Sequence, residues 1–330
     1  MKRIFVLVLF AWSLLIALQA QELVFQDKDG IVRWKKDNQE VALFGANYCL
    51  PSSCDYRAAG YVNADRKAMV REDMDHFKRM GWDALRVCFW GDFQNSDPDG
   101  HLIDNDHLNM MDYLIAEASK RGIYMLFSPI VTYDSQFPEM NDNSNTGYAK
   151  LFAKNTLIHD EKAIKCQINY MTDILNHINR YTGRCIKDEP NIIYVEIINE
   201  PTQFPNDIPG MVKYINRMCK AIKDTGCKKL IYYNLSQNFD VAPAIQKSMV
   251  DGATYAWYPQ ALNNGHRFMD NGLHFVDRYE PLVEDGLKGK SRLVYEFDAT
   301  DTENGYLLPA MTREYRRGGI QLRRTSNSFT

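Results

Sequence analysis

The feature that most restricts this chain is a recurring pattern: a helical stripe of apolar residues, a glycine, then a short apolar run. Val70, Met74 and Phe77 recur at helical spacing before Gly81, and "WDALRVCFW" follows. Leu108, Met111 and Ile115 do the same before Gly122 and "IYMLFSPIV". Ile164, Ile168, Met171, Leu175 and Ile178 make the longest stripe, ahead of Gly183 and the run 191–198, while Val212, Ile215, Cys219 and Ile222 precede Gly226 and "KKLIYYN". Glycine at such a junction supplies the left-handed residue that ends a helix. The apolar runs do not alternate with polar residues, so they are expected to be buried on both faces, as in a parallel sheet covered by helices.

Seven such strands are predicted: "VALFGAN" (41–47), 83–89, 123–129, 191–198, 228–234, "ATYAWYP" (253–259) and "RLVYEFD" (292–298). A regular series of βα units, with no Gly-x-Gly-x-x-Gly or Walker pattern, favours a closed (β/α)8 TIM barrel over an open doubly wound sheet. Residues 21–40, with the turn "DKDG", predict a short N-terminal hairpin closing the barrel floor, and the barrel itself is expected over 41–321. After the helical "YLLPAMTREYRR", the segment "GGIQ" starts as an eighth strand should, but "LRRTSNSFT" brings neither the apolar run nor the aromatic ending expected of one. The eighth strand is therefore expected to be incomplete or atypical, with 322–330 an atypical polar tail, truncated or altered relative to functional relatives. Such a barrel would leave the first and seventh strands with unpaired edges. The alternative is that 320–326 pairs as a short polar strand.

Lys2 and Arg3 precede an apolar run, Ile4–Leu18, broken only by Ser13, and Ala20 is a small residue suited to cleavage. Residues 1–20 thus read as a cleavable signal peptide, shorter than the roughly 20 residues of a membrane span, and predict a secreted or periplasmic protein without stable membrane insertion. Losing that leader takes the formal net charge from −3 to −5, which speaks against nucleic acid as a partner. The seven cysteines are too few for a disulfide-dense scaffold and show no Cys-x-x-Cys pair. A Cys185–Cys227 bridge and buried free thiols are equally compatible with the pattern. No His-Glu-x-x-His is present, the acidic "DPDGHLIDND" (97–106) lacks the spacing of a calcium loop and reads as a turn with a helix cap, and no Gly-x-Ser-x-Gly suggests a serine hydrolase. No metal and no cofactor are expected.

Polar residues at the carboxyl ends of barrel strands are site candidates, because the interior is packed and only that face opens to substrate. The long loops at 90–105, 131–160 and 259–275 all follow such ends. Glu200 closes the run "NIIYVEIINEP" and Glu296 lies near the end of the seventh strand in "LVYEFDAT"; strands four and seven face one another across a barrel. Two carboxylates meeting across a cleft are what glycosidic bond cleavage needs, one to protonate the leaving oxygen and one to attack or activate water at the anomeric carbon. A lone strand-end glutamate is more often a loop cap, and the pair is what makes the catalytic reading specific. Asp298, on the same face as Glu296, is the rival second carboxylate. Trp90 and Trp257, next to strand ends, are candidates to offer flat faces to sugar rings, with core packing the alternative for each. Asn234 belongs formally to a glycosylation sequon but stands at a strand end and reads better as lining the site. Glu196, four residues before Glu200, needs a cation if buried, and Arg86 is the candidate.

"VEIINEP" resembles the fourth-strand signature of clan A glycoside hydrolases, family 5 especially, and the likeness runs in strand order over roughly residues 35 to 320. It implies a retaining β-glycoside hydrolase acting on a β-linked polysaccharide or oligosaccharide, with Glu200 the general acid/base, Glu296 the nucleophile and Asn199 the donor to the sugar 2-hydroxyl. It also implies that Arg86 in "LRVCFW" keeps the nucleophile charged and that Tyr258 hydrogen-bonds it. The sequence departs from the family at "LFSPIV" and "WYPQ", where histidines are common. Given the doubtful last strand, a catalytically impaired sugar-binding protein is the alternative function.

Overall fold

The computed structural model describes residues 23–48, 50, 53–131, 147–259, 273–277, 285–297 and 305–325. A two-stranded antiparallel hairpin, β1 (Val24–Gln26) and β2 (Val32–Trp34), comes first. Its turn is built by Asp27, whose carboxylate accepts hydrogen bonds from the Asp29 and Ile31 amides at 3.0 Å each. Eight parallel strands follow: β3 (Leu43–Asn47), β4 (Ala84–Cys88), β5 (Tyr124–Ser128), β6 (Ile192–Glu196), β7 (Leu230–Ser236), β8 (Gly252–Trp257), β9 (Ser291–Phe297) and β10 (Leu322–Thr325). Each pairs with the next, and β10 returns to β3, so the sheet is a closed barrel.

The helices between the strands start and stop where the sequence provides caps. Asp65 accepts from the Lys67 and Ala68 amides to open the helix Arg66–Met80, and Gly81, at φ 76, ends it. Asn105 opens Asp106–Lys120 and Asp160 opens Glu161–Asn176 in the same way. Each such cap satisfies amides that have no partner inside the helix. The acidic segment 97–106 is accordingly a turn and a cap, with Asp97 accepting from the Asp99 and His101 amides. The longest stripe is shorter than its apolar pattern: the helix stops at Asn176, and Ile178, 60% exposed, lies outside it in an isolated bridge to Cys185.

Among the described residues, apolar side chains form three clusters. One fills the space between strands and helices, a second, with Leu43, Ala84, Leu126, Tyr194, Tyr232 and Leu293, fills the lower half of the barrel interior, and a small third joins Ala256, Tyr258 and Tyr295. Tyr194 and Tyr232 meet edge to face with centroids 5.2 Å apart. Gly252 makes room for them, since a Cβ there would stand 2.5 Å from the Tyr232 ring. Because side chains alternate along a strand, the inward position two residues above each of Ala84, Leu126, Tyr194, Tyr232 and Gly252 is Arg86, Ser128, Glu196, Asn234 and Thr254. The barrel thus changes from apolar to polar in one step toward its carboxyl end.

The eighth strand is short and atypical, as expected, but it closes the barrel, so no edge is left open and the alternative of a short pairing strand holds. Leu322–Thr325, placed by the sequence in the tail, pairs with Leu43–Ala46 on one side and with β9 on the other. A strand needs backbone groups, which any residue but proline supplies, so a polar tetrad serves here. The Cys185–Cys227 bridge is not formed; both are free, as are Cys88, Cys166 and Cys219, while the side chains of Cys49 and Cys54 lie outside the described residues.

Gln321 joins the floor to the hairpin. Its buried amide accepts from the Val32 amide at 2.7 Å and donates to the Val32 and Val41 carbonyls at 2.8 and 3.0 Å. Gln321→Ala leaves the buried Val32 amide without this acceptor and is expected to cost about 2–3 kcal/mol, read as a lower urea midpoint at unchanged slope.

Candidate active site

Glu196 ends β6 with no exposed surface and carries the site's hydrogen-bond network. Its Oε1 accepts from Arg86 Nη2 at 2.7 Å, Asn234 Nδ2 at 2.9 Å and Ser128 Oγ at 3.3 Å. Its Oε2 accepts from Thr254 Oγ1 at 3.1 Å and Arg86 Nε at 3.2 Å. Donors from β4, β5, β7 and β8 therefore converge on one carboxylate of β6. A buried ion is tolerable when its charge is opposed and its lone pairs are filled, and both conditions are met here. Arg86 also donates to Asn199 Oδ1 at 2.5 Å and to Asn47 Oδ1 at 3.4 Å.

Beyond Glu196 the chain leaves the sheet. The Ile197 amide still bonds the Tyr232 carbonyl at 2.9 Å and the Asn199 amide the Ile130 carbonyl at 2.8 Å, which steers the segment across the barrel mouth. Glu200 then stands at φ 40, left-handed backbone that residues other than glycine rarely adopt, directly before Pro201. Residues held in that region cluster at functional sites, where surrounding contacts enforce the geometry. One such contact is the Tyr295 hydroxyl, which donates to Glu200 Oε1.

Glu296 lies on β9, and the neighbouring Glu200 bears on its charge. Burial pushes the Glu296 carboxyl up from its ordinary value; the Tyr258 hydroxyl, the Arg86 charge and the Asn47 amide pull it down, and Glu200 pushes it up further. Arg86 acts on Glu296 in the expected direction, pulling its carboxyl down through space while its hydrogen bonds go to Glu196, Asn199 and Asn47; burial is the larger influence, and the carboxyl stays above its ordinary value. Asp298 lies outside the described residues.

Asn199 is 2% exposed, and its Oδ1 also receives the Cys88 thiol at 3.7 Å. Burial pushes that thiol up to about 12, so it is a neutral donor. Asn234, fully buried and bonded to Glu196, supports the floor of the site, and burial closes it to glycosylation. The tryptophans are not open sugar platforms. Trp257 is 1% exposed and packs edge to face on Tyr315 with centroids 5.3 Å apart, and Trp90 is 5% exposed. Sequence reasoning missed Asn47, Cys88, Thr254 and Tyr295. Cys88 stands two residues above Arg86 on the same strand, where alternation would have found it, while Asn47 and Thr254 are the register partners of Arg86 and Asn234 on neighbouring strands. Among the described residues no cluster of histidine, cysteine and acidic side chains suits a metal ion.

A closed parallel barrel with a polar carboxyl end, where two glutamates from the fourth- and seventh-strand positions interact, is the frame of a barrel glycoside hydrolase. The sequence model of Cellulase (glycosyl hydrolase family 5) matches residues 34–271, and the chain belongs to this family. A protein of Oryza sativa subsp. japonica described as a putative mannan endo-1,4-beta-mannosidase 9 is 24% identical over 243 residues, covering 65% of this chain and 58% of that protein. Mannan endo-1,4-beta-mannosidase 2 of Arabidopsis thaliana is 28% identical over 130 residues, covering 38% of this chain and 30% of its own length. The chain therefore spans little more than half of the rice relative. In fold it is similar to the endo-1,4-beta-mannanase of Rhizomucor miehei, with a TM-score of 0.67 at 16% identity over 92% of this chain and 90% of that one.

Two measurements follow from the site's electrostatics. Arg86→Met strands the Glu196 carboxylate and should cost about 3–5 kcal/mol of stability in urea unfolding. For Glu296, a folded-state value raised above the unfolded one of about 4.3 means that folding carries no penalty below that pH and a growing one as pH rises through the folded value. Glu296→Gln should accordingly be more stable than the wild type at neutral pH, with the advantage vanishing below about pH 4 in urea midpoints taken across the range.

Proposed function

We propose that this chain is a retaining β-glycoside hydrolase acting on a β-linked glycan, with Glu200 as acid/base and Glu296 as nucleophile. The observation that carries the reading is the carboxylate pair itself: two glutamates of a family 5 barrel, Glu296 on β9 and Glu200 just beyond β6, with the charge of Glu200 bearing on Glu296. In the first step Glu200 gives its proton to the glycosidic oxygen as the bond from that oxygen to the anomeric carbon breaks, while a Glu296 oxygen bonds that carbon. In the second, Glu200 takes a proton from water, the hydroxide oxygen bonds the same carbon, and Glu296 leaves as carboxylate. Asn199, oriented by the hydrogen bond that its Oδ1 accepts from Arg86, is the family's donor to the sugar 2-hydroxyl. Tyr258 and Asn47 favour the charged nucleophile.

The relatives are described as acting on β-1,4-mannan, which makes a β-mannan the first substrate to try. A leader at 1–20 taking the chain out of the cytoplasm belongs to the same proposal, resting on Lys2 and Arg3 before an apolar run. No helix among the described residues is long and apolar enough to cross a membrane. The rival reading, a sugar-binding protein with a defective barrel, loses its motive because β10 pairs on both sides.

Mannan and aryl β-mannosides provide the test, alongside a mechanism-based 2-fluoro sugar. Turnover with covalent labelling at Glu296, found by peptide mass, is the expected result. Glu296→Gln should abolish both, and Glu200→Gln should lower turnover of substrates with poor leaving groups about a hundredfold or more. Binding without labelling or turnover would sink the enzyme reading.

A further inference from the structure

Tyr295 has no place in the chemistry derived so far, yet it occupies the centre of the site. It has no exposed surface, its ring lies 4.3 Å from the Arg86 guanidinium, and its hydroxyl donates to Glu200 Oε1. Strict alternation along β9 would not allow both Tyr295 and Glu296 to address the barrel interior. The register explains how they do. Against β8 the pairing runs Tyr255 with Val294 and then Ala256 with Glu296, so β9 holds one residue more than its neighbour. Against β10 it runs Arg323 with Val294 and then Thr325 with Phe297, again with one extra residue in β9. Leu293 faces the interior, so Tyr295 does too by alternation; the extra residue that follows Val294 lets Glu296 share that face and sends Phe297 outward onto Tyr315, as bulges beside active sites re-aim side chains.

We infer that Tyr295 is a positioning residue that holds the Glu200 carboxyl in place for proton transfer to the leaving oxygen. The inference rests on the acid/base role proposed above for Glu200. As Glu200 loses its proton to the leaving oxygen, the Tyr295 bond becomes charge-assisted, so it strengthens while the glycosidic bond breaks. When Glu200 takes a proton from water in the second step, the same bond weakens again. The donor itself does not ionise: burial, with Glu200 and Glu296 close by, pushes the Tyr295 phenol well above its ordinary value. Arg86 over the ring fixes its plane, so the hydroxyl points at one place. Among the described residues, the other charged or titratable groups gathered around this pair are Arg86 and Cys88 from β4, Glu196 from β6, Tyr258 after β8 and Glu296 from β9.

Tyr295→Phe tests this, because it removes the hydroxyl and keeps the ring on Arg86. The Glu200 carboxyl is followed by carbon-13 NMR of the full chain, its signal assigned by absence in Glu200→Gln, and at one fixed pH that signal should be displaced in Tyr295→Phe by loss of the hydrogen bond. The glycosylation rate should fall about tenfold for aryl glycosides with poor leaving groups and hold for those that need no proton. An undisplaced signal overturns the inference, as does a rate loss equal for both kinds of leaving group. The NMR reading needs no turnover, so it decides the Tyr295–Glu200 contact even where the glycosidase assays fail, and a failed assay with a displaced signal counts against the proposed function alone.

Discussion

Everything at the carboxyl end of the barrel depends on one buried ion pair, Arg86 with Glu196. Five donor contacts from four other strands end on the Glu196 carboxylate, so this anion ties β4, β5, β7 and β8 to β6 at the level where the apolar interior stops. Taking both charges out of water is costly, and the cost is offset only with every lone pair occupied. That condition makes Ser128, Asn234 and Thr254 one unit with the pair. It also explains why the cation does less for Glu296 than its position suggests: most of its donors are already used, and its field reaches the second carboxylate through space.

Much of this frame is legible in the sequence. The glycines and caps marked the helix ends, continuous apolar runs marked strands covered on both faces, and Asn199-Glu200 marked where the fourth of them reaches the open end. What was not legible depended on partners. The polar last strand pairs through its backbone, which leaves no periodic trace, so "LRRT" looks like a tail until β3 and β9 are seen on either side. The helix stripe ran past its true end because Ile178 keeps the apolar spacing while the chain has already turned. The tryptophans looked like sugar platforms from their place at strand ends, and only packing against Tyr315 reveals Trp257 as core.

The site had the same division. Glu200, Glu296, Asn199, Arg86 and Tyr258 were found from strand-end positions and a family likeness, and Glu196 from the need of a buried acid for a cation. Tyr295 was passed over because Glu296 was taken as the inward residue, and alternation allows only one of two neighbours that place. A bulge is a mismatch between two strands, so no single strand's sequence contains it, and without the bulge Glu296 would point to the opposite face from Tyr295.

The Gln321 clasp and the β3–β10 ladder set an order on how the molecule can come together. Val32 and Gln321 are 289 residues apart, and the first barrel strand waits for a partner almost as distant, Leu43 for Leu322. During synthesis from the amino end, the hairpin and β3 emerge early with their edge groups open, and nothing made before the last strand can complete them. Closure is therefore a late, long-range event, and such contacts slow folding while exposing strand edges. The interval before residues 321–325 appear is when this chain is most open to pairing with the wrong neighbour.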